Sequence, residues 1–126
     1  MHDTAKLAPA RDRGAVLTKA TLNAADRLGL SQRELAEIIG LSEATVSRMK
    51  RGAATLEDGS AHFQLAALLV RIFRSLDAIV GGDEGVARAW MKAPNTALGV
   101  PPVERISKIS GLVDVATYLD ARRAPL

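Results

Sequence analysis

Between Glu43 and Arg51 the chain gathers two hydroxyls, two guanidiniums and an ammonium, on Thr45, Ser47, Arg48, Lys50 and Arg51, with no acid from Ala44 to Thr55. A row of such groups can bond to base edges in a DNA groove while cations at its flanks neutralise phosphates. Glu43, Thr45, Ser47 and Arg48 are the expected base readers, because they face outward near the start of a predicted helix. Gln32, Arg33, Lys50 and Arg51 are the expected phosphate contacts. Arg48 is the foremost candidate: two-pronged pairing with guanine is the commonest specific contact and discriminates by about 1–3 kcal/mol.

Such a row works only if a second helix holds it at the groove. The run LSQRELAEIIGLSEATVSRMKRG, Leu30 to Gly52, supplies both helices. Ser31 and Glu34 have the spacing of a reciprocal capping pair, so the first helix is predicted from about Gln32. Leu35, Ala36 and Ile39 share one face, and Gly40 stands where a left-handed helix stop needs no β-carbon. Ser42 is a second cap, and Val46 and Met49 form the inward stripe of the reader helix. Small Ala36 permits close approach of the two helices.

The 126-residue chain can bury one good core and is too short for most large catalytic folds. Apolar residues are 48% and aromatics only 3%, which favours closely packed helices, so an all-α fold is expected. Cysteine is absent, excluding disulfides and thiolate metal sites, and only His2 and His62 offer imidazole. No metal or cofactor is therefore expected. The net charge is a modest +3, so local clustering matters more than the total, and a dimer that presents the cluster twice suits DNA. No signal core opens the chain, and its most apolar helix is interrupted by Gln64, Arg71, Arg74 and Asp77; no membrane contact and a cytoplasmic location are expected.

Residues 1–14, with Pro9 and no apolar period, read as a loose arm. Residues 15–59 then form a helix-turn-helix domain whose supporting helix runs from Ala15 to Leu28, with Leu17, Ala20, Thr21, Ala24 and Leu28 on one face. Residues 60–126 form a second helical unit. Its first helix, 61–80, carries Phe63, Leu65, Leu68, Leu69, Val70, Ile72, Phe73, Leu76 and Ile79 around nearly all sides. One small subunit can hardly surround such a helix, so a homodimer through the 61–80 region is expected. Gly81 and Gly82 stop it. Asp83 to Lys92 is a short helix with Val86, Ala87, Trp90 and Met91 on its apolar side, and Trp90 reads as a core or interface anchor. A helix from Pro101 or Pro102 with Val103, Ile106 and Ile109 inward is expected to break at Gly111. The last helix, Leu112 to Arg123, has Val113, Ala116, Tyr118 and Leu119 as buried candidates.

Ser31, Leu35, Ala36, Gly40, Leu41, Ser42, Thr45, Val46, Ser47, Arg48 and Gly52 resemble the pattern of the Xre or Cro/C1-type helix-turn-helix. Trp90, Met91, Pro94, Asn95, Leu98, Pro101 or Pro102, Gly111, Val115 and Leu119 resemble the C-terminal domain of the MbcA/ParS/Xre antitoxin family. The second resemblance implies an antitoxin that obstructs the pocket of a RES-domain, NAD-consuming toxin. It also implies that the paired readers repress the operon promoter by binding operator DNA. Trp90, Asn95, Tyr118, Arg122 and Arg123 are then the candidate toxin-binding residues, the two arginines suiting an acidic or phosphate-accepting cleft. The alternative is a stand-alone dimeric repressor. An enzyme is not expected, because no acid, base and nucleophile gather at one place in the sequence.

Overall fold

The computed structural model describes residues 10–123, with side chains from Asp12 onward; residues 1–9, most of the expected arm, and 124–126 lie outside the described residues. Seven helices occur among the described residues: α1 (Ala10–Leu28), α2 (Gln32–Ile39), α3 (Glu43–Lys50), α4 (Ala61–Ile79), α5 (Glu84–Lys92), α6 (Pro102–Arg105) and α7 (Ile109–Arg123). No strand is present among them, in keeping with the all-α expectation.

α4 is the axis of the molecule. α1, α2 and α7 pack on it, and α5 bridges from it to α1. A single core joins Leu35, Ile39, Val46 and Met49 of the α2–α3 unit to Leu69, Ile72 and Leu76 of α4. The same core continues into Met91, Ile106, Leu112 and Leu119. Each such side chain contributes about 1.5–3 kcal/mol of transfer free energy. Contrary to the expectation that one subunit can hardly surround α4, neighbouring helices of the same chain cover most of it. What stays exposed is a stripe of polar and small residues, Gln64, Ala67, Arg71, Arg74 and Ala78, with Ile79 39% exposed at its end.

α1 begins at Ala10, ahead of the expected Ala15, with Asp12 in the first turn where the helix dipole favours an acid. Tertiary contacts fasten this early turn. The Arg13 guanidinium donates to Asp58 at 2.6–2.8 Å, and Gly14 presses so closely on the Leu56 carbonyl that a β-carbon would strike it. The buried Thr18 hydroxyl donates to the Gly14 carbonyl at 2.6 Å and accepts the Leu56 amide at 2.8 Å. The loop after α3 is thus tied to α1.

The other departures lie near the C-terminal end. Gly111 does not break a helix; it is buried in the first turn of α7, where a β-carbon would fall on the Arg105 carbonyl oxygen. Its role is close approach of backbones. α6 is correspondingly short, Ile106 caps it and is buried, and Ile109 has passed to α7, where it is 67% exposed. Val86 and Val113, expected on apolar faces, are exposed too, because α5 and α7 turn Met91, Leu112, Val115 and Leu119 to the core instead.

Candidate functional site

The α2–turn–α3 unit forms as its caps require. Ser31 Oγ accepts the Glu34 amide at 3.0 Å while Glu34 Oε1 accepts the Ser31 amide at 2.8 Å, closing the reciprocal capping pair. Gly40 ends α2 at φ +75°, in the left-handed region. Behind it, His62 Nδ1 lies 2.8 Å from the Ile39 carbonyl oxygen. A carbonyl only accepts, so Nδ1 carries the proton and His62 satisfies an end-of-helix carbonyl from the start of α4. Val46 and Met49 are buried, which fixes the roll of α3 and turns Glu43, Arg48 and Lys50 outward.

Of the expected base readers, Thr45 and Arg48 are joined directly by a hydrogen bond, Ser47 is bonded instead to Arg51, and Glu43 lies about 160° around the helix from Thr45. Thr45 is the hub: Arg48 Nη2 donates to its hydroxyl at 2.9 Å, and the Ser42 hydroxyl shares a hydrogen bond with it at 2.9 Å. Arg51 Nη1 donates to Ser47 Oγ at 2.7 Å, and Ser47 is half-buried. Lys50 and Arg33 are exposed, Arg33 lying 3.5 Å from Glu37. Gln32 Nε2 donates to the Glu43 carbonyl at 3.2 Å, so this side chain links α2 to the first turn of α3. The surface offers hydroxyl and guanidinium donors whose exposed mutual bonds are weak enough to exchange for base or phosphate partners. Ser42, which the sequence explains as a cap alone, also joins this hydrogen-bond network through its hydroxyl.

A second constellation lies on α5 and α7. The rings of Trp90 and Tyr118 stack with centroids 6.3 Å apart and planes at 15°. The Arg122 guanidinium sits 5.6 Å from the Tyr118 ring centre and donates to its hydroxyl at 3.2 Å. Of the five residues singled out in this half, Trp90, Tyr118 and Arg122 are thus brought together. Asn95 is not in that column; its Oδ1 accepts the amides of Ala97 and Leu98 at 2.9 and 3.2 Å and shapes the loop before α6. Arg123 turns the other way, donating to Ser75 Oγ at 3.4 Å.

The network around Arg123 had no signal in the sequence, since its members come from distant segments. Arg71 grips Asp120 in an ion pair, with Nε donating at 2.6 Å, and Ser75 Oγ donates to the other carboxylate oxygen at 2.8 Å. The Arg71 hydrogen bond, followed by that of Ser75, holds the Asp120 carboxyl below the usual carboxylate range. These contacts fasten α7 along α4. Among the described residues no group of His, Asp and Glu side chains could hold a metal, and no helix is long and apolar enough to cross a membrane.

Fold and surface together define a helix-turn-helix protein whose reader unit shares a core with an appended helical domain. Two family models match the chain: residues 8–77 match the antitoxin Xre-like helix-turn-helix domain, and residues 75–124 match the antitoxin Xre/MbcA/ParS C-terminal toxin-binding domain. The chain belongs to the Xre-type antitoxins, the toxin-neutralising members of toxin-antitoxin pairs. No curated protein matches it.

Proposed function

We propose that this antitoxin neutralises a RES-domain toxin by covering its NAD pocket, and that it represses its own operon by binding operator DNA. The observation that carries this reading is the union, in one chain and around one core, of a helix-turn-helix domain and a toxin-binding domain. Glu43, Thr45, Ser47 and Arg48 read bases; Gln32, Arg33, Lys50 and Arg51 hold phosphates. Support comes from the orientation of α3, which buries Val46 and Met49 and leaves most of these polar groups at the surface.

On the toxin side, Trp90, Tyr118 and Arg122 form the contact column, Asn95 holds the adjoining loop in shape, and Arg123 flanks the site from α4's side. Half-buried aromatics beside a guanidinium have the composition of an interface centre. Functionally the chain divides into residues 15–59 for DNA and 60–126 for toxin binding and dimerisation. The homodimer is proposed at the C-terminal end of the 61–80 helix, where Ile79 is exposed and Val86 beyond the turn is 50% exposed. The pair acts in the cytoplasm, where operator and NAD are both at hand.

The test is co-expression with the product of the neighbouring gene, followed by size-exclusion chromatography with light scattering and a growth assay. A co-eluting complex and rescued growth are expected. A lone dimer that binds operator DNA, with no partner and no rescue, would replace this reading with a stand-alone repressor.

A further inference from the structure

An open groove of about 650 Å³ runs between α1 and α4, lined below by Leu17, Phe63, Ala67 and Val70, with Val16 68% exposed at its edge. Arg13, Arg71, Arg74 and Arg123 also line it, and among the described residues no acidic side chain does. Arg13 pairs with Asp58 and Arg71 with Asp120. Arg74 is exposed and makes no hydrogen bond or ion pair among the described residues, and the Arg123 bond to Ser75 is at the long limit of hydrogen bonding. The groove therefore joins an apolar floor to a net positive rim.

Those properties select an occupant. A DNA backbone would gain from the arginines but nothing from Phe63 and Val70. A second copy docked about a two-fold axis would bring the unneutralised arginines of both protomers together at the same patch. A peptide segment with an apolar side and flanking carboxylates satisfies floor and rim at once, laid in the groove as an amphipathic helix or turn.

We propose that this groove seats an acidic, amphipathic segment of the toxin. The proposal rests on the antitoxin reading and extends the toxin's footprint beyond the toxin-binding domain. Arg123 lies within the stretch matching that domain, whereas Val16, Leu17 and Phe63 lie within the stretch matching the helix-turn-helix domain. A toxin held at α5 and α7 thereby reaches α1, the supporting helix of the DNA-binding unit.

The experiment measures toxin affinity by calorimetry for the full chain and for Arg74→Glu, Arg74→Lys and Val16→Asp, with operator affinity and self-association measured in parallel. Both sites are exposed, so the variants keep the fold, which circular dichroism verifies. Toxin binding weakened about tenfold or more in Arg74→Glu and Val16→Asp, kept in Arg74→Lys, with operator affinity and self-association unchanged, is the expected result. Wild-type toxin affinity in both charge-altering variants overturns the proposal. So does a selective loss of operator binding or of self-association, which would give the groove to DNA or to a second copy. An unaltered chain that binds no toxin at all instead overturns the antitoxin reading beneath it.

Discussion

Trp90 on α5 and Tyr118 on α7 lie almost parallel, 6.3 Å between ring centres and 15° between planes, so the single tryptophan and the single tyrosine of the chain stack on one another. Both residues are half-buried. The stack joins α5 to α7, which no ladder of backbone bonds does.

Trp90→Ala is expected to destabilise the fold by about 1–3 kcal/mol, combining lost burial with the extra attraction of an aromatic pair. Chemical denaturation measures it. Tyr118→Phe keeps the stack and loses only the Arg122 bond to the hydroxyl, so stability should stay within about 0.5 kcal/mol of wild type. Because Trp90 is the sole indole, a blue shift of its emission on toxin addition is the expected sign of contact; an unchanged spectrum with toxin bound would remove it from the interface.

Arg48 and Lys50 should separate specificity from affinity. Arg48→Ala is expected to cost about 1–3 kcal/mol on the cognate operator and to relax discrimination at one base position. Lys50→Ala should weaken every sequence evenly and lower the salt slope by about one. Titrations against an operator library at several salt concentrations test both. An unchanged operator preference in Arg48→Ala would transfer base reading to Thr45, to which Arg48 is bonded in the free protein.

Much of this was legible in the sequence, and the reason is locality. Caps at Ser31 and Ser42 and the stop at Gly40 act within a few residues of themselves, so their signals survive in a single sequence. Gly111 and Gly14 were not legible, since each looks like punctuation and is in fact a point where two backbones touch. The α4 face was misjudged because composition reports how apolar a helix is, not how many neighbours the rest of the chain can lay upon it. Among the residues proposed for toxin contact, the separation of Arg122 from Arg123 follows from helical geometry: consecutive residues point about 100° apart.

Gly111→Ala sets two effects against each other. Alanine is the better helix former by about 1 kcal/mol, but its methyl would fall on the Arg105 carbonyl, an overpacking penalty of about 1–3 kcal/mol or more. The backbone collision should win, and the midpoint of thermal unfolding should drop. A rise would mean that α6 moves aside freely. Gly14→Ala, facing the Leu56 carbonyl, is expected to behave alike.

Acid should loosen the α4–α7 seam. The folded-state pKa of Asp120 is depressed by the Arg71 and Ser75 hydrogen bonds, so this group adds stability that is present above its unfolded pKa of about 3.9 and is lost as pH falls through the lower folded value. Asp120→Asn should therefore be less stable than wild type near pH 7 and converge on it in strong acid. Parallel denaturation curves from pH 7 downward test the sign; a constant gap across that range would remove Asp120 from the acid response.

The two family matches overlap at residues 75–77, inside α4 rather than between helices. A protease therefore finds no extended connector at the junction, and no cut there yields two independent halves. Exchange of one reader for another among relatives of this chain must be spliced within a buried helix and keep Ile72, Ser75 and Leu76 in register. New pairings of operator and toxin would then arise more readily by substitution on the two outer surfaces than by shuffling of whole modules.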